Sequence, residues 1–304
     1  MKIIAEGLRF PEGPVVLDDG SICVVEIAAG RVSIVKDGKL SVLAELGGGP
    51  NGMAIGPDGA LYVCNNGGFI VREVEGETRV VHGLVPDDYQ TGLIQRIDLG
   101  TREVTTLYTH CGEHPLSAPN DLVFDRHGGF YFTDFGKVHE RHRDWGSVYY
   151  AMPDGTSIIE VIHPIAAPNG IGLSPDQGTL YVCETETSRL WSYPIVSPGK
   201  VTRQDFPSPN GGRLVYSPPG YQRFDSLAVQ ANGDICVATL ITGQVTVVSP
   251  EGRLVREVRF PDRYVTNLCF GGAGLTKAYA TLSLTGKLVE LDWPEPGLLL
   301  NYSA

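Results

Sequence analysis

The chain contains no run of 18 apolar residues, no Cys-x-x-Cys pair and no amphipathic pattern that would sustain a helix of 12 residues. The first absence excludes a membrane-spanning helix, and no membrane partner is expected. The second removes the spacing that thiol metal sites and redox motifs need. Positive charge is scarce too: 24 Lys and Arg stand against 35 Asp and Glu, a net charge of -11. That balance argues against nucleic acid as a partner and suits a protein able to hold a cation. Residues Met1 to Glu6 lack a signal peptide's apolar stretch, so the cytoplasm is the expected location. There is no G-x-S-x-G nucleophile elbow, and the stretch from Gly271 to Lys277 has the wrong order for a phosphate loop.

What the chain has in quantity is glycine (38) and proline (21), which suits many short strands joined by tight turns. Five of the six cysteines fall inside apolar segments and are expected to be inert core thiols, while Cys111 falls in a loop. The apolar segments recur. Ser117-Ala118-Pro119-Asn120-Asp121 leads into a strand-sized run, a turn at Gly128-Gly129, and a second run, Phe130 to Asp134. The same sequence of events starts at Phe10-Pro11-Glu12, Gly49-Pro50-Asn51, Ala167-Pro168-Asn169, Arg223-Phe224-Asp225 and Val265-Thr266-Asn267. Six units of about 50 residues, each with four strand-sized segments, are the signature of a propeller. The expected fold is all-β: a six-bladed β-propeller with four antiparallel strands per blade, forming a single domain over residues 1–304. The last unit supplies three strands, so the N-terminal segment Lys2 to Ala5 is expected to complete it and close the ring.

Strand alternation then places the leading residues Glu12, Asn51, Asn120, Asn169, Asp225 and Asn267 together at one end of the central axis. Second-strand ends, among them Glu26, Asn65, Asp134 and Glu184, surround them. The longest links fall on the same face. Residues 66–91 are a candidate lid, and six of the seven histidines, including His82, His114, His139 and His142, lie on or near these links. His139-Glu140-Arg141-His142 is one residue short of H-E-x-x-H, so the pair would not share a helix face; a solvated loop or a substrate contact remains open.

Asn and Asp before strands often serve turns alone. Six oxygen-bearing side chains at one repeat position, two of them acids, point instead to a cation cage. Glu12 and Asp225 supply charge, and Asn120 and Asn169 supply neutral carbonyl oxygens. Calcium is the first expectation for such hard donors, with magnesium, manganese or zinc as alternatives. Asn51, Asn120, Asp134, His114, His139 and Asn267 form the expected substrate-facing set; Asp134 could equally bond backbone at its strand end.

The marks Phe10-Pro11-Glu12-Gly13-Pro14, Ala118-Pro119-Asn120-Asp121, Tyr131-Phe132-Thr133-Asp134, Ala167-Pro168-Asn169-Gly170 and Phe270-Gly271-Gly272 together resemble the senescence marker protein/gluconolactonase/luciferin-regenerating enzyme family. The resemblance covers nearly the whole chain. It implies an axial divalent cation held by Glu12, Asn169 and Asp225, with Asn120 a fourth ligand or a substrate contact. It also implies lactone or ester hydrolysis, with Asp225 as general base. Sugar-lactone members often carry Arg two residues before the third-blade Asn; here that residue is Ala118, which points to a less polar lactone or ester as the small-molecule substrate. Phosphotriester hydrolysis on the same cage, or a ligand-binding propeller with a structural metal, are the alternatives.

Overall fold

A computed structural model describes residues 1–81 and 83–303. Six antiparallel sheets are arranged around an axis, a six-bladed β-propeller; five have four strands, and in blade 4 Lys200–Val201 and Arg213–Tyr216 both pair with Arg189–Ser197. Blade 1 shows the pattern: Pro11–Val16 on the axis, then Ile22–Glu26, Arg31–Lys36 and Lys39–Glu45 outwards. The other axial strands are Pro50–Ile55, Pro119–Phe124, Pro168–Leu173, Arg223–Val229 and Val265–Gly271. Blade 6 is closed by Lys2–Glu6, which pairs with Lys287–Asp292 in a register that sets Lys2 against Glu290.

Burial explains the hydrophobic patterning. Pro119–Phe124 and Phe130–Asp134 are buried at every position, so they read as unbroken apolar runs. Outer strands such as Leu254–Arg259 are mostly exposed. The core lies between blades. Tyr62 of blade 2 packs edge-on against Phe124 of blade 3 at 5.0 Å, within a cluster that also holds Phe130 and Phe132. Removing residues 1–6 should therefore expose the edge of Lys287–Asp292 and cost the ring its closure. The expected result is a lowered melting temperature with concentration-dependent aggregation, read by calorimetry and light scattering.

The register between axial and second strands slips at the same place in every blade, for instance between Glu12 and Val15 and between Pro168 and Ile171. Each slip is a bulge that turns the leading side chain towards the axis. The strands crowd there. A Cβ on Gly170 would stand 2.5 Å from the Leu227 backbone nitrogen, which is why a glycine follows Asn169. Residues 297–303 cross the far end of the axis, where Asn301 donates to the Phe124 carbonyl at 2.9 Å. Among the described residues no helix is long and apolar enough to cross a membrane.

Candidate metal centre and chamber

Two cavities flank the crowded ring. The upper one, about 350 Å³, is lined by Glu12, Asn51, Asn120, Asn169 and Asp225. The lower one, about 330 Å³, is lined by Asp121, Asn267 and the tail residues Leu298 to Asn301. Five of the six leading residues thus reach one chamber. Asn267 lines the lower cavity, and its Nδ2 donates to Glu12 Oε2 at 2.8 Å; the Gly13 N–H donates to the same oxygen at 2.8 Å. It orients the Glu12 carboxylate rather than facing the upper chamber.

The electrostatics of the floor are those of a site short of positive charge. Burial pushes the Glu12 carboxyl from an ordinary 4.5 up to about 7, against the lowering effect of its Asn267 and Gly13 bonds. Burial, then the charge of Glu12, raises Asp225 well above the usual carboxylate range. Asp121, which the sequence reading left unassigned, is a third buried axial acid, raised to about 7 by burial and by Glu12. The carboxamides complete the picture. Asn169 donates through Nδ2 to Thr185 Oγ1 at 3.1 Å, while its Oδ1 and the Oδ1 of Asn120 are buried with no hydrogen-bond partner. Two orphaned carbonyl oxygens beside two carboxylates fit a hard divalent cation, because each orphan otherwise costs about 1–3 kcal/mol.

The second-strand ends hold the loops that frame this floor. Asp134 accepts the backbone N–H groups of Ser117 at 2.7 Å, Ala118 at 2.6 Å and Gly136 at 3.1 Å. Glu184, Glu26 and Asn65 bond loop backbone in the same way. Asp134 is therefore a brace for Ser117 and Ala118, and does not line the chamber.

Described residues of the 66–91 link, 66–81 and 83–91, form the roof. Val71–Val74 and Glu77–Val80 make a hairpin, and Phe69, Arg79, Val80 and Leu84 line the chamber beneath it; His82 lies outside the described residues. None of the described histidines lines the chamber. His114 is exposed in a short pairing with Cys111. His139 and His142 do meet, on a hairpin instead of a helix: the bridge of Val138 to Arg143 stacks their rings 4.2 Å apart at the rim, within 4.8 Å of an Asp144 oxygen. Lys137, just before them, is a second residue that sequence reasoning leaves without a role. Its Nζ donates to the Gly68 carbonyl at 2.6 Å and lies over the rings of Phe69 and Tyr89. Burial lowers its pKa to about 8 despite the nearby charges of Asp134 and Asp144. Lys137→Met should free the roof, at a cost of about 1–3 kcal/mol for the unpaired Gly68 carbonyl. Faster hydrogen exchange confined to residues 66–81 would report it.

The profile of the SMP-30/gluconolactonase/LRE-like region matches residues 10–283. The chain belongs to this family. Among curated relatives, lactonase drp35 of Staphylococcus saprophyticus is 29% identical over 267 residues, covering 86% of this chain and 73% of the relative. Lactonase drp35 of Staphylococcus aureus strain MW2 is 31% identical over 220 residues, covering 70% and 57%. Solved structures share the family fold. A gluconolactonase from Xanthomonas campestris superposes with a TM-score of 0.75 at 22% identity, covering 96% of this chain and 89% of the other. Regucalcin from Agrobacterium tumefaciens, described as a calcium-binding protein, gives 0.73 at 18% identity, covering 98% and 97%.

Proposed function

We propose that this protein is a divalent-metal-dependent hydrolase that opens a lactone or a related ester in the upper chamber. The convergence of Glu12, Asp225 and the unpartnered carbonyl oxygens of Asn120 and Asn169 on one floor carries the reading. The family's lactonases, drp35 among them, support the reaction class. Calcium is the cation that this all-oxygen set suits first, and the calcium-binding description of the regucalcin neighbour agrees.

Glu12, Asn120, Asn169 and Asp225 would hold the cation. When bound, it supplies a Lewis-acid charge that polarises the scissile carbonyl and offsets the oxyanion of the tetrahedral intermediate. Asp225 takes a proton from the attacking water, whose oxygen bonds to the carbonyl carbon. As the ring C–O bond breaks, the same carboxyl returns that proton to the leaving alkoxide, giving a hydroxy acid. Phe10, Ile27, Phe69, Val80 and Leu284 enclose the apolar body of the substrate and exclude bulk water.

A panel of lactones, assayed with protein stripped by chelator and then resupplied with calcium, tests the reading. Turnover that vanishes on stripping and returns with the ion is expected. Hydrolysis unaffected by chelation, or a lowered melting temperature with no hydrolysis to lose, would overturn it.

A further inference from the structure

The upper chamber is basic at its rim in a protein whose net charge is -11. Arg79, Lys137, Arg223 and Arg263 line it. Their carboxylate partners are too few. Arg79 and Arg263 share one oxygen of Glu77, at 2.7 Å and 3.4 Å. Arg223 bonds to Glu186 Oε1, which also stands 3.8 Å from Arg143. Lys137 donates to a backbone carbonyl. The neighbouring acids are committed elsewhere: Asp134 to three backbone N–H groups, and Asp144 to Ser117 and the Lys137 backbone. With Arg143 beside the chamber, five cationic side chains thus have two ion-pair carboxylates between them; Asp225 of the floor feels the charge of Arg223 without bonding to it.

Arg223 is the telling member. It is only 9% exposed, and its Nε is buried with no partner. It stands two residues before Asp225, and the same repeat position is Phe10, Gly49, Ala118, Ala167 and Val265 in the other blades. Five blades fill that buried position with an uncharged side chain or none, so blade construction does not call for a guanidinium there. A guanidinium with free N–H capacity in a largely apolar chamber is suited to bind a carboxylate.

We infer that the substrate is an amphipathic lactone or ester that carries a carboxylate away from its scissile carbonyl, seated against Arg223 with Arg79 and Arg263 at the rim. This rests on the hydrolase reading above, and it deepens that reading by giving the substrate a charge. The apolar walls take the carbon skeleton and Arg223 takes the anionic end, which sets the scissile carbonyl towards Glu12, Asn120, Asn169 and Asp225, the residues that would hold the cation.

The test uses calcium-loaded protein and two unreactive lactams with the same alkyl chain, one ending in a carboxylate and the other in a primary amide. Calorimetry should show the carboxylate binding at least tenfold more tightly, with the preference shrinking as salt rises and falling to near parity in Arg223→Gln. Arg79→Gln, at a more exposed position, should reduce the preference several-fold and serves if Arg223→Gln does not fold. Equal affinities in the wild type, no binding of either lactam at millimolar concentration, or a preference untouched by both substitutions would overturn the proposal. Turnover of the matching lactones is scored separately. A carboxylate preference without hydrolysis of either lactone refutes the hydrolase reading and leaves the anionic subsite standing.

Discussion

Asp225→Asn should abolish hydrolysis, by about 10³-fold or more in kcat, while circular dichroism shows the blades intact. The same substitution should have opposite effects on stability with and without calcium. In stripped protein it removes one of three buried axial carboxylates, one that burial and the charge of Glu12 disfavour in its ionised form, so the melting temperature should stay level or rise. With calcium it removes a charged ligand, so the stabilisation that the ion confers on the wild type should largely disappear. A purely structural acid would give a loss under both conditions. Undiminished turnover would remove Asp225 from the reaction.

The stability of stripped protein should fall as pH rises from about 5 to about 7.5. Glu12 and Asp121 have folded-state values near 7, well above the ordinary carboxylate range, and Asp225 is raised in the same direction. Between the unfolded and folded values the folded protein binds more protons, so their contribution is complete at low pH and is lost as pH climbs through about 7. Melting temperatures several degrees lower at the upper end are expected without metal. Calcium should flatten or reverse the slope, because the ion favours the ionised carboxylates that protons otherwise compete for. Calorimetric scans across pH, with chelator or with calcium, read both curves; a rising curve in chelator would refute the charge-crowded floor.

Much of this was legible before any coordinates. The recurrence of Pro-Asn-Gly and its variants revealed both the blade count and the axial residues, because a propeller reuses one bulge at one register in each blade. Asn267 shows that repeat position fixes where a backbone stands but not what its side chain meets: its amide holds Glu12 and does not line the upper chamber. Asp121 escaped notice for the converse reason: an acid one residue beyond the repeat position still turns inward where strands crowd. His114 and His139 are expected from sequence among the substrate contacts, yet the described histidines stand outside the chamber while Lys137 occupies its roof. A lysine inside a polar stretch carries no sign that Phe69 and Tyr89, far along the chain, will enclose it. The stacking of His139 on His142 was hidden by testing only a helical spacing, where the chain makes a hairpin.

The latch between Lys2 and Glu290 has a bearing on biosynthesis. Lys2–Glu6 is synthesised long before its partner Lys287–Asp292, so vectorial folding can build blades 1 to 5 in turn but must leave the circle open. Until then the Pro11–Val16 side of blade 1 also lacks its neighbour Val265–Gly271. A floor assembled from blades 1, 3, 4 and 5 would thus gain its full cation affinity only when the last blade locks Glu12 into place through Asn267.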